Sequence, residues 1–303
     1  MSVERKSVRH EPRALIALLV GAAGTAFAPI LVRVSELPPT STAFYRMALT
    51  IPFIGLWIFL MRRCNAASPE VPRGTDRALL ALTGLLFAGD LIALHWSITL
   101  TSIANAVLFL NSQPIFVVAG AWLLFGERAS ALFLAGLGLA LAGAVLVMDS
   151  SSTLAGGHLL GDSLGILSGI FYAAYILAAV RLRVRFASLP IMAWTCAVAS
   201  PILLIAAWGA GEALWPATVQ GFGVLLALAL IGQFAGNGLI VYAMAHLPAA
   251  FSAAALLSQP VIAAIFAWTL LGEPLAPAQM AGMAIVLGGI CACRLGGDRA
   301  PRG

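Results

Sequence analysis

The sequence predicts an all-α integral membrane protein whose ten transmembrane helices form two inverted five-helix repeats. Three observations lead there: long apolar runs nearly free of charge, a one-sided distribution of Lys and Arg, and a motif that returns after 146 residues.

Of 303 residues, 61% are hydrophobic and only 10% are charged, against about 25% charged in a soluble domain. A soluble surface could not be covered with so few charges, whereas a surface facing lipid should be apolar. Crossing the hydrocarbon core takes about 20 apolar residues, and the chain supplies runs at 14–33, 40–61, 78–98, 102–125, 129–148, 162–181, 187–209, 218–245, 249–271 and 276–294. Turns between some runs are forced by length. No formal charge separates Glu212 from Glu273, and one helix of that length would reach roughly 90 Å. His246-Leu247-Pro248 is the natural corner. The run from Asp90 to Glu127 must likewise turn, near 99–102.

Basic residues set the orientation. With the N-terminus inside, 15 of the 17 Lys and Arg fall in cytoplasmic segments, the exceptions being Arg33 and Arg46. The prediction is therefore a multi-pass protein of the plasma (bacterial inner) membrane with both termini cytoplasmic. The net charge of +5 is accounted for by this bias, with no solvated basic patch to suggest nucleic acid. Residues 14–33 read as a first span rather than a signal peptide, because no small-residue cleavage site and polar mature segment follow.

The repeat is the most specific feature. Ser112-Gln113-Pro114, Ala121-Trp122 and Gly126-Glu127 return as Ser258-Gln259-Pro260, Ala267-Trp268 and Gly272-Glu273. At the same offset Gly136 meets Gly282, Gly143 meets Gly289, and Trp96 meets Tyr242. Each half holds five spans, and an odd number brings the second half in upside down, an arrangement that allows alternating access. The expected organisation is a tail at 1–13, repeats at 14–148 and 162–294, an outer loop at 149–161 and a tail at 295–303.

Ten spans, the five-plus-five repeat, a mid-span proline in spans four and nine, and Gly-Glu closing each of them resemble the drug/metabolite transporter superfamily, EamA type. Phe27-Ala-Pro-Ile-Leu-Val-Arg33 and Ala43-Phe-Tyr-Arg46 resemble it too. The resemblance covers nearly the whole chain and implies a secondary transporter of small metabolites. Members of that family include amino acid exporters, among them YddG-like aromatic amino acid exporters, so the resemblance implies export of aromatic or other neutral amino acids. Cationic drugs, nucleosides and vitamins stay open as alternative solutes.

Within the spans, a few residues carry chemistry. Asp90 is the one carboxylate deep in an apolar run. An ionised Asp at a helix centre costs about 2.5–3.5 kcal/mol on the insertion scale, so it must face a polar cavity or a partner. It is a candidate for binding an ammonium group and for proton coupling, against the alternatives of a structural ion pair with Arg46 or a neutral, hydrogen-bonded acid. Arg46 suits a substrate carboxylate and, equally, pairing with a helix C-terminus or Asp90, and His95 reads as a satisfied or interfacial histidine. Pro114 and Pro260 leave the carbonyls of Leu110 and Leu256 free, so they are candidate kink and gating points. Gln113 and Gln259 place an amide at each. Asp90 has Gly236 as its counterpart, flanked by Gln233 and Asn237, which breaks the symmetry. The substrate-binding candidates are Arg46, Asp90, Trp96, Gln113, Tyr172, Tyr175, Asn237, Tyr242 and Gln259, the aromatics being those expected to line the cavity. Gly161-x-x-x-Gly165-x-x-x-Gly169 and Gly232-x-x-x-Gly236 predict close helix approach.

Enzyme chemistry is not indicated. A diaspartyl site needs two facing acids, no Gly-x-x-x-x-Gly-Lys-Ser/Thr segment exists, and Cys291-x-Cys293 lacks the second pair of a metal site. Neither a filter loop nor a signalling domain suggests a channel or receptor. The expected partners are a small-molecule substrate and the bilayer, with no cofactor, in a monomer or weak homodimer.

Overall fold

The computed structural model describes residues 12–63, 72, 74–101, 103–148, 159–272 and 275–297. Cys64, Arg73, Glu273, most of the outer loop and most of both tails lie outside the described residues. Among those described, ten helices are long and apolar enough to cross a membrane. They are α1 (Pro12–Arg33), α2 (Pro39–Leu60), α3 (Thr75–Leu100), α4 (Ala106–Phe125), α5 (Ala131–Met148), α6 (Leu159–Arg183), α7 (Ser188–Gly209), α8 (Val219–Ala243), α9 (Ala249–Leu270) and α10 (Pro277–Gly297). Every span read from the sequence is present, with ends shifted by four residues at most.

Local chemistry explains most boundaries. Prolines open α2 and α10, where the missing N–H has no partner to lose. Gly126 and Gly272, 146 residues apart, close α4 and α9 at φ 69° and 68°, a left-handed cap that a side chain would strain. Four spans are interrupted: α1 at Phe27, α2 at Leu49, α4 at Asn111–Ser112 and α9 at Leu257. Each break falls two to three residues before a proline. The pair at Pro114 and Pro260 matches the expected kinks, while those before Pro29 and Pro52 are additional. α8 departs most from expectation. Its middle, Leu228–Asn237, is π-helical.

Packing follows a two-fold exchange of halves. The partner pairs α3–α6 and α1–α8, α4–α6 and α1–α9, and α3–α7 and α2–α8 are related by adding or subtracting five, while α5–α10, α2–α7 and α4–α9 map onto themselves. The α5–α10 seam shows the sense of the repeat. A Cβ on Gly136 would lie 2.8 Å from the Gly289 carbonyl, and one on Gly143 would lie 2.8 Å from that of Gly282. Residue numbers rise on one helix as they fall on the other, so equivalent helices run antiparallel and the repeats are inverted.

The bundle has two chemically distinct ends. One gathers Arg77, Arg128, Arg183 and Arg185, with Arg185 bonded to Asp76 at 2.8 Å. The other carries Glu36, Asp162 and Glu212.

Candidate functional site

α3 and α6 pack face to face through the middle of the bundle. On α6, Ser168, Tyr172 and Tyr175 recur at i, i+4 and i+7 and so share one face. On α3, Phe87 and Asp90 meet them. The Ser168 hydroxyl donates to Asp90 Oδ1 at 2.6 Å, and Asp90 is 4% exposed. The Phe87 ring lies 4.9 Å from that of Tyr175, which is stacked on Tyr172 at 5.8 Å. Three aromatic rings therefore stand beside the buried carboxylate.

The opposite wall comes from α2, α7 and α8. Arg46 Nε donates to Gln233 Oε1 at 3.0 Å. Gln233 is fully buried and its amide nitrogen points to Cys196 Sγ at 3.9 Å, a weak acceptor. Asn237, one turn further on α8, donates to the Tyr175 hydroxyl at 3.2 Å and joins the two walls. Arg46 is within electrostatic reach of Asp90, Tyr172, Tyr175 and Cys196, yet no direct ion pair joins Arg46 to Asp90 among the described residues. The structural ion pair considered above is thus not formed. Each charge is held by a neutral group instead, leaving guanidinium Nη donors and a carboxylate oxygen uncommitted.

Arg46, Asp90, Tyr172, Tyr175 and Asn237 are therefore brought together. Gln259 is not part of this cluster, because its amide donates to Thr25 on α1 at 2.7 Å. Gln113 is buried on α4 with Oε1 unpartnered. Two aromatic assignments need correction. Trp96 is 53% exposed on the stripe of Leu82 and Leu85, roughly 120° around α3 from Asp90. Tyr242 is 40% exposed, against His246 at 5.0 Å near the basic end. Both present to the outside of the bundle. His95 is not satisfied either, since its buried Nδ1 has no hydrogen-bond partner. Gln233 is the residue that sequence reasoning passed over. Its signal was the polar pair Gln233 and Asn237 at i and i+4, one face of a helix.

Beyond the site, α2 and α8 are tied at the acidic end. Glu36, in the α1–α2 turn, accepts from the backbone N–H of Ala217 at 2.8 Å and Thr218 at 3.1 Å, and from the Thr218 hydroxyl. That hydroxyl holds the Glu36 carboxyl below the usual carboxylate range. Glu212, in the α7–α8 turn, accepts from Ser41 N at 2.7 Å and Ser41 Oγ at 2.9 Å. Each carboxylate caps a helix of the other half.

A ten-span bundle of inverted halves, with an arginine and a carboxyl group held apart at its middle, has the build of a membrane carrier. The chain belongs to the EamA-like transporter family, whose model matches residues 12–149 and 159–294. Over 267 residues it is 27% identical to an uncharacterized transporter of Archaeoglobus fulgidus, covering 86% of this chain and 89% of that protein. It is 26% identical to a "probable terminal-alkyne amino-acid exporter" of Streptantibioticus cattleyicolor, with 72% and 73% covered. Identity to the pseudopaline exporter CntI of Pseudomonas aeruginosa is also 26%, over 70% of each chain. A crystal structure superposes with a TM-score of 0.78 over 95% of this chain and 98% of the other, at 16% identity, and so shares the fold.

Proposed function

We propose that this transporter exports amino acids, aromatic or other neutral ones, by alternating access through the central cluster. The observation that carries this reading is the separation of half-buried Arg46 and buried Asp90, whose side chains bond only to Gln233 and Ser168 among the described residues. An amino acid brings the two groups such a site lacks, a carboxylate for Arg46 and an ammonium for Asp90. The rings of Phe87, Tyr172 and Tyr175 offer apolar and cation–π contact beside the ammonium. Relatives named as exporters of an amino acid and of pseudopaline support the direction and the solute class. The basic end faces the cytoplasm of a bacterial inner membrane, carrying both termini.

The test is counterflow in proteoliposomes with labelled phenylalanine, tryptophan, leucine and threonine. Wild type should exchange at least one of them, with Asp90→Asn and Arg46→Gln about tenfold slower or worse despite normal insertion. Flux no higher than in protein-free vesicles, or full activity in both variants, overturns the reading. Asp90 is also the candidate for proton coupling, and an exchange rate indifferent to an imposed pH gradient would remove that role.

A further inference from the structure

Gln233 stands where a carboxylate would be expected. A guanidinium within a membrane span is ordinarily balanced by an acid, since an unpaired buried charge is costly. Here the bonded partner is a neutral amide. Three observations suggest that this neutrality is built in.

The amide is first of all fixed in direction. Gln233 is fully buried, its oxygen is taken by Arg46, and its nitrogen faces a sulfur. Because Nε of Arg46 is the atom engaged, the end-on pair of Nη groups stays available, an edge that matches the two oxygens of a carboxylate.

Next, the fold does not require the pair. Gln233 corresponds to Phe87, buried in the apolar core, and the ends of α2 and α7, 149 residues apart, set Arg46 against Thr195. The α3–α7 contact carries a neutral Thr83–Thr195 hydroxyl pair at 2.9 Å, so a seam of this kind holds without a charged group.

The third observation is the π-turn. Residues four apart share one face there, so Gln233 reaches Arg46 while Asn237 reaches Tyr175 from the same π-helical segment. The Thr50 hydroxyl, shared between the Arg46 carbonyl at 2.7 Å and the Ala229 carbonyl at 3.2 Å, touches that segment one turn away from Arg46.

We infer that Gln233 is a positioning residue that makes the site selective for solutes bearing a free carboxylate. It steadies the Arg46 guanidinium without neutralising it, so the solute itself supplies the balancing charge. Carboxamides, esters and simple amines, which lack the carboxylate, leave Arg46 uncompensated and are rejected. This rests on the amino acid reading above and adds the residue that sets its charge selectivity.

The experiment compares the four amino acids of the counterflow panel with their carboxamides, reading KM and kcat separately in the full-length protein. Wild type should prefer the acid over the amide by about tenfold or more. Gln233→Glu, which places a carboxylate against Arg46, should raise KM for the acid about tenfold and abolish the preference, while amide transport is kept. Gln233→Met keeps the volume and loses the acceptor, and should raise KM for the acid with kcat little changed. The exchange Arg46→Gln with Gln233→Arg restores an Arg–Gln pair and should recover part of the preference. Elution as a single species like wild type is the criterion for including each variant, and Gln233→Met, the mildest, decides if the charged ones fail it. A wild-type preference in Gln233→Glu, or in Gln233→Met when that variant decides, overturns the role of Gln233 while leaving the amino acid reading standing. A wild type that moves no amino acid, or moves amides as well as acids, overturns the inference, and the former result overturns the function too.

Discussion

Replacing Gly289 by Ala tests whether the α5–α10 seam is as tight as its backbone contacts imply. The new Cβ would sit 2.5 Å from Ala140 N and 2.7 Å from the Gly136 carbonyl oxygen. Both obstacles are backbone, so no side chain can swing away, and the helices must part by roughly 1 Å to reach ordinary contact. Overpacking of this kind costs about 1–3 kcal/mol. The neighbouring Gly288 has nothing within 4 Å of its built Cβ, so Gly288→Ala should gain up to about 1 kcal/mol from helix propensity. That gain is common to both helix positions, so the two adjacent, chemically identical substitutions should differ by the overpacking cost of roughly 1–3 kcal/mol, or about 2–10 °C in Tm. Gly143→Ala, the counterpart in the other half, meets Val286 N at 2.6 Å and should behave like Gly289→Ala. Fluorescence-monitored thermal unfolding of detergent-purified protein provides the readout. Equal Tm values for the Gly288 and Gly289 variants would refute the backbone-contact argument, whatever the absolute shift.

Two further outcomes are expected. Because the folded Glu36 titrates below its ordinary value of 4.5, its clasp contributes fully above that ordinary range and is lost as pH falls through the lower, folded value. Thermal unfolding between about pH 6 and pH 3 should show wild type losing stability that Glu36→Gln never had, and parallel pH profiles would contradict this. Trp96→Leu should retain exchange within about twofold, since the ring faces out of the bundle; a tenfold loss in the counterflow assay would return Trp96 to the solute path.

Much of this architecture is legible because a bilayer leaves few choices. Charge is so scarce that Glu212 to Glu273 had to fold back, and the Ser-Gln-Pro and Gly-Glu motifs carried the repeat through diverged sequence. Asp90 and Arg46 stood out for the same reason. Their relation did not, since whether two buried charges bond or stand apart is decided by neighbours on other helices, here Ser168 and Gln233. The π-turn was equally hidden, because an extra residue per turn leaves hydrophobic composition unchanged. Trp96 was avoidable: six residues from Asp90 is a third of a turn away from its face, a fact available from spacing alone.

The reciprocal capping by Glu36 and Glu212 makes the acidic end cooperative. Separating the α1–α2 turn from the α7–α8 turn would strip the first turns of α2 and α8 of their acceptors together. A partial separation forfeits most of that bonding while opening little space. The end is thus suited to two positions, shut or fully parted, and a carrier with such an end resists the intermediate shapes through which ions and solutes leak.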